Sequence, residues 1–276
     1  MSHDEHKDHP FHLVNPSPWP LMGALSLLCT TGGTAMFMHK VAAGKPLMIL
    51  GVLGVLYVMF RWWRDVIREG MHDHAHTEEV SHGLRFGMAL FILSEVMFFV
   101  AFFWAFFSSS LYPHFPVAEA FQGLGKQGVW PPKDIMPLDA WHIPFLNTLI
   151  LLLSGTTVTW AHHALLEGKR KEVITALWYT VILGVSFTSF QVYEYAHAKF
   201  LFTQGIYASA FYMATGFHGF HVFVGTTFLA VNLIRAYKNQ LTPKHHLGFE
   251  FAAWYWHFVD VVWLFLFVFV YWWGAN

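Results

Sequence analysis

Phe91-Ile92-Leu93-Ser94-Glu95-Val96-Met97-Phe98-Phe99 sets one carboxylate inside an otherwise almost wholly apolar run. The stretch around it, Leu84 to Leu111, has too little other polarity to be a helix bathed in water. A hydrocarbon core of about 30 Å takes roughly 20 helical residues to cross, and this stretch is long enough. An ionisable group at that depth costs about 2.5–3.5 kcal/mol even on lenient insertion scales, so it is a functional-site candidate by default. What Glu95 faces decides its role: a proton path, a buried partner or a bound lipid.

Working outward by the same length rule, the sequence predicts about seven spans: Trp19–Lys40, Pro46–Arg64, Arg85–Ser110, Ile143–Leu166, Val173–Ala196, Ile206–Tyr237 and Phe249–Trp273. The second runs on into Asp65-Val66-Ile67-Arg68-Glu69, which reads as helix emerging into water. The sixth is long for a perpendicular span and implies tilt or a protruding end. The expected fold is all-α and polytopic, a single membrane domain over 1–276. Within it lie a polar His-rich tail (1–18), the seven spans and a Pro/Gly-rich external loop (111–142). That loop should consist of turns rather than a soluble domain.

Composition agrees. The chain is 55% hydrophobic and only 12% charged, where a soluble domain is about a quarter charged. A net charge of −1 argues against nucleic acid as a partner. Cys29 is the single cysteine, which excludes an internal disulfide, a Cys–Cys metal site and covalent haem attachment through C-x-x-C-H. The polar stretch from Met1 to His12 does not read as a cleavable signal peptide.

An odd number of spans puts the termini on opposite sides. Of the 16 Lys and Arg residues, only Lys40, Lys45, Lys126, Lys133 and Lys199 fall on the C-terminal side. The positive-inside rule then places the N-terminus in the cytoplasm, or a mitochondrial matrix, and Asn276 outside.

Polar groups at depth are the remaining site candidates. At 1.5 Å per residue from the expected inner ends, Glu95 lies about 15 Å in, Asp260 about 16 Å, His257 about 12 Å and His221 about 24 Å. Asp260 and His257, three apart, share a face. They read either as a proton relay or as a structural pair tying the last span to a neighbour, through the indole of Trp254 or Trp263. His218 and His221 also share a face and could ligate a metal or haem, but a third and fourth ligand and outer partners would be needed. His162, His163, His245 and His246 read as interfacial anchors beside Lys169, Arg170, Arg235 and Lys244. Arg235 also reads as part of a cationic pocket for lipid phosphate. His3, His6, His9 and His12 in the tail, and His72, His74 and His76 in the loop, read as solvated polar residues. For Glu95, a proton channel would need polar groups in series, and Ser94 and Ser108 alone make a broken path. An inert neutral acid and a site beside a lipid-filled cleft remain open.

Several stretches resemble one family. Gly248-Phe249-Glu250-Phe251-Ala252-Ala253-Trp254-Tyr255-Trp256-His257-Phe258-Val259-Asp260 is similar to the last helix of subunit III of cytochrome c oxidase. So are Ala214-Thr215-Gly216-Phe217-His218-Gly219, Thr159-Trp160-Ala161-His162-His163, Pro16-Ser17-Pro18-Trp19-Pro20, Trp62-Trp63-Arg64-Asp65-Val66, the Glu95 span and Gly128-Val129-Trp130-Pro131-Pro132, in order from Asn15 to Trp273. The resemblance implies a seven-helix subunit in a 2+5 arrangement, two leading helices (19–70) and a five-helix bundle (84–274), with a V-shaped cleft that holds phospholipids. It implies docking to oxidase subunits I and II, and no catalytic residue, metal ligand, haem or copper in this chain. Cofactors are expected only in the partner subunits. Glu95 matches the family's carbodiimide-reactive carboxylate, and lipid contacts carry over to Trp63, Glu69, Arg235, His245 and Phe249. The implied role is to stabilise the redox subunit through turnover and assist proton uptake, with oxygen guidance as a further candidate. The longer Tyr112–Val129 loop and His-rich ends depart from the mitochondrial pattern and favour a bacterial plasma membrane. Rival readings are a haem-carrying oxidoreductase using His218 or His221, and a proton-coupled transporter using Glu95 and Asp260. A transporter would be expected to show an inverted repeat, and none stands out. Subunit III of a quinol oxidase typically has five spans, so the leading pair favours the cytochrome c type.

Overall fold

The computed structural model describes residues 11–71, 75–112, 130–133 and 135–275. Seven helices in it are long and apolar enough to cross a membrane, and no strand occurs among the described residues. They are α1 (Trp19–Met38), α2 (Gly44–Met71), α3 (Glu78–Leu111), α4 (Ile143–Leu166), α5 (Arg170–His197), α6 (Ile206–Tyr237) and α7 (Leu247–Phe265). The chain leaves α7 through a π-helical turn, Leu266–Trp272, and a 3₁₀ turn, Trp273–Ala275. The fold is all-α with seven candidate spans, as expected. The charged continuation of the second span is helical to Met71, and the third helix starts seven residues before Arg85. Of the expected external loop, residues 113–129 and 134 lie outside the described residues, as do His3, His6, His9, His72, His74 and Asn276.

Helix ends follow local chemistry. Pro20 and Pro144 sit in the first turns of α1 and α4, where a missing N–H costs nothing. Gly168, at φ +72°, closes α4, and the amides of Gly168 and Lys169 return to the carbonyls of Leu165 and Ala164. Lys169 then bonds Glu167 at 2.7 Å and holds that carboxyl below its usual range. Arg170, which the sequence reading used only as an interfacial charge, caps α6. Its Nε and Nη2 donate to the carbonyls of Ala236 and Tyr237 at 3.1 and 2.8 Å, where the negative end of the helix dipole favours a cation.

Two compact units result, residues 1–84 and 85–276. The first is built on the α1–α2 hairpin, whose seam is lined by small residues. A Cβ on Gly33 would meet the backbone of Met48, one on Gly44 the backbone of Phe37, and one on Gly51 the backbone of Thr30. Lipid tails are as apolar as leucine, so such close backbone approach supplies the association that hydrophobic burial supplies in water. Near one end, the Trp19 indole donates to Asp65 at 2.7 Å and Arg61 lies 5.3 Å from the Trp19 ring centroid. A groove of about 520 Å³ lies beside them, lined by Gly23, Leu27, Val55, Val58, Met59, Trp62, Trp63 and Val66.

In the second unit, α7 is the central element. Trp256 and Trp263 are wholly buried and donate to Ser154 at 2.9 Å and Thr148 at 2.8 Å, fastening α7 to α4. Thr157 and Thr180 join α4 to α5 at 2.8 Å. The α3 phenylalanines pack edge-on into α6, Phe98 against Phe217 at 5.0 Å.

Candidate functional site

Glu95 meets His221. Its Oε2 lies 2.8 Å from Nε2 of His221 on α6, and Nδ1 of the same ring lies 2.6 Å from the carbonyl of Phe217. A carbonyl can only accept, so Nδ1 must carry its hydrogen. Nε2 and the carboxyl then share one further proton. The pair is either acid and neutral imidazole or carboxylate and imidazolium, and has no net charge in either form. That neutrality lets an ionisable residue sit at depth without an isolated charge. Aromatic rings wall the histidine: Phe99 at 4.9 Å, Phe98 at 5.9 Å, Tyr255 at 6.2 Å and Phe258 at 6.2 Å. The histidine side chain is 7% exposed and that of Glu95 23%, so the carboxylate is the side of the pair that reaches the surface of the unit.

Depth counting separated these two residues by about 9 Å, and the cause is the third helix. It begins at Glu78, so Glu95 stands about 25 Å from that end and His221 about 24 Å from the end of α6 at Tyr237. The two are level once the true helix ends are used.

His218 does not share its neighbour's environment. Its Nε2 lies 3.1 Å from the Val259 carbonyl, and its ring sits between Phe187 and Trp263. His257 reaches Asp260 at 3.5 Å through Nδ1 and Thr159 on α4 at 3.2 Å through Nε2. The link from this pair to a neighbouring helix therefore runs through a threonine. Trp263 makes its own bond to Thr148, and Trp254 packs on Phe251.

At the end of the unit where α7 starts, Arg85 on α3 grips Glu250 on α7 through two bonds of 3.0 Å each, a bidentate geometry suited to a guanidinium and a carboxylate. Arg235 is partly buried beside Gly248. It donates to the neutral Asn232 at 3.3 Å, and its buried Nε has no partner. His245 is exposed, whereas Phe249 is wholly buried with its ring against His162 at 5.8 Å. Phe249 can therefore act on a lipid only through the residues it supports. Trp63, in the first unit, is 60% exposed and lines the apolar groove, and Glu69 is half-buried on the same helix.

The profile of the family Cytochrome c oxidase subunit III matches residues 9–275. The chain is 58% identical to the cytochrome c oxidase subunit 3 of Marchantia polymorpha over 268 residues, 97% of this chain and 98% of that one. It is 57% identical to that of Triticum aestivum, across 98% of this chain and 99% of that one. It is also 57% identical to a probable cytochrome c oxidase subunit 3 of Rickettsia bellii, across 99% of each. The chain belongs to the cytochrome c oxidase subunit III family.

It is thus an integral membrane subunit of an oxidoreductase complex, and other oxidase subunits are its partners. One polar cluster of the chain is not apparent from the sequence. Tyr271 donates to Glu194 at 2.6 Å, and the Gln191 amide lies 3.3 Å from the same carboxyl and 3.1 Å from the tyrosine. Gln191 and Glu194 stand three apart in an apolar helix, the same spacing that drew attention to His257 and Asp260. Tyr271 could not be read, because the π turn after Phe265 changes which residues face inward.

Proposed function

We propose that this chain is a non-redox accessory subunit of its oxidase that binds structural phospholipids, stabilises the catalytic subunit through turnover and supports proton uptake. Haem and copper would sit in the partner subunits, I and II. Arg235 carries the lipid reading. It is a half-buried guanidinium hydrogen-bonded to a neutral amide, with no ion pair among the described residues. A cation so placed calls for an anion from outside the chain, and a phospholipid phosphate between helices supplies one. His245 and Phe249 follow it by ten and fourteen residues, while Trp63, beside the apolar groove, and Glu69 are the candidates on the first unit. Both nitrogens of His221 are already in hydrogen bonds, which speaks against that residue as a haem ligand, and the ring of His218, whose Nδ1 has no partner, is packed between Phe187 and Trp263. The excess of Lys and Arg on one side supports an N-terminus in the cytoplasm or matrix, and a bacterial plasma membrane is the reading we favour.

The test is native mass spectrometry of the intact oxidase in mild detergent. Arg235→Ala should lose one bound phospholipid relative to wild type while haem content is unchanged. An unaltered lipid complement would overturn the role of Arg235.

Glu95→Gln should leave assembly and oxygen reduction largely intact, because a neutral amide can still bond His221. Loss of the whole chain should instead shorten the number of turnovers before inactivation. Oxygen-electrode traces on both enzymes decide this, and abolition of oxygen reduction by Glu95→Gln would sink the accessory reading.

A further inference from the structure

Among the described residues ten buried side-chain polar atoms lack a partner, and four of them belong to three residues of α4 and α5: Nδ2 and Oδ1 of Asn147, Oε1 of Gln191 and Oε2 of Glu194. Asn147 has no exposed surface, Gln191 is 5% exposed and Glu194 3%. Asn147 and Gln191 also fall at one level, with Glu194 one turn further on. Thr157 and Thr180 touch across the antiparallel α4–α5 pair, and Asn147 lies ten residues before Thr157 while Phe190 lies ten after Thr180. Asn147 is therefore within about 1.5 Å of Gln191 along the bundle, and Glu194 lies about 4.5 Å further on. Asn147 is on the buried stripe of α4 with Leu151, Ser154 and Val158, and Gln191 and Glu194 are on that of α5 with Gly184 and Phe187.

We infer that Asn147, Gln191 and Glu194 enclose an internal hydration site holding at least two ordered water molecules. Buried polar groups are nearly always satisfied, and an internal water typically makes about three hydrogen bonds in a polar pocket. The donor and acceptor count fits. One water accepts from Nδ2 of Asn147 and donates to Oε1 of Gln191 and Oε2 of Glu194. A second donates to Oδ1 of Asn147. Tyr271 and the Gln191 amide occupy Oε1 of Glu194, which leaves only Oε2 facing the site. Of the nearby hydroxyls, that of Tyr195 bonds Thr215 at 2.6 Å and also interacts with the Gln191 side chain, and that of Tyr212 donates to the Phe200 carbonyl at 2.8 Å. The site is separate from the Arg235 and Glu95 regions and stands or falls without them.

The experiment is a water-resolving electron cryo-microscopy map of the intact oxidase, wild type and Asn147→Leu. The wild-type map should hold solvent peaks within hydrogen-bond reach of Asn147 and of Gln191 or Glu194. Asn147→Leu, similar in size but apolar, should lose the peak beside position 147 and keep the Gln191–Tyr271 bond. Side chains bonded directly to one another, or no density between them, would overturn the site in the wild type alone. Unchanged peaks in the variant would remove Asn147 from it.

Discussion

Gly51→Val should force α1 and α2 apart and, on the lipid-binding role proposed above, weaken retention of phospholipid by their hairpin, whereas Gly32→Val, on the same hairpin, should do little. A Cβ at Gly51 would run into the backbone of Thr30, which cannot rotate aside, while one at Gly32 meets nothing within 4 Å. Gly33 and Gly44 carry the same seam against Met48 and Phe37, so the strain cannot be relieved by a small slide. Overpacking a fitted contact costs about 1–3 kcal/mol, occasionally more. In a bilayer no hydrophobic term draws the separated helices together again, because both faces are equally content in lipid. Thr30 is already bonded to the Ser26 carbonyl at 2.8 Å and offers no flexible polar end to yield. Heating each variant oxidase and following release of bound lipid by mass spectrometry separates the two outcomes. Equal behaviour of Gly51→Val and Gly32→Val would show that the seam is not close-packed.

The spans were legible because bilayer thickness sets their length, and Ile143–Leu166 and Ile206–Tyr237 could be read to the residue. The start of α3 could not. Glu78, Glu79 and His82 look like loop by polarity, yet they suit the first turns of a helix that stands clear of the apolar layer. That displacement hid the Glu95–His221 pair, since depth was counted from the wrong origin. Pairing itself was the other gap. Glu95 and Asp260 could be recognised as costly, but their partners depend on how helices rotate against one another. His257, a turn away on the same helix, was readable; His221, 126 residues distant, and the Arg85–Glu250 clamp, 165 apart, were not. Nor does a sequence mark Phe249 as buried rather than lipid-facing, because membrane helices are apolar on both faces and the usual contrast of inside and outside disappears.

That loss of contrast makes the tryptophans of α7 the decisive packing residues, and Trp256→Ala should be among the most damaging single changes in the second unit. The indole has no exposed surface, donates to Ser154 at 2.9 Å and fills the space left by two glycines. A Cβ on Gly184 would lie 2.9 Å from its ring, and one on Gly225 2.8 Å. Truncating a buried tryptophan to alanine costs about 3–5 kcal/mol. Here the loss is mainly of dispersion contacts and of a bond to a buried hydroxyl, since little surface would be transferred to water. The glycines make the argument specific. Gly225→Ala alone should destabilise, because its methyl meets the six-membered ring of a fixed indole. In a Trp256→Phe background the shorter side chain withdraws that ring, so the added methyl should be tolerated and the double variant should be less damaged than the sum of the singles. Contacting residues typically couple by about 0.5–3 kcal/mol. Thermal release of this chain from the oxidase, measured for the four members of the cycle, reads that coupling directly. Additive losses would mean that the indole and Gly225 do not pack as described.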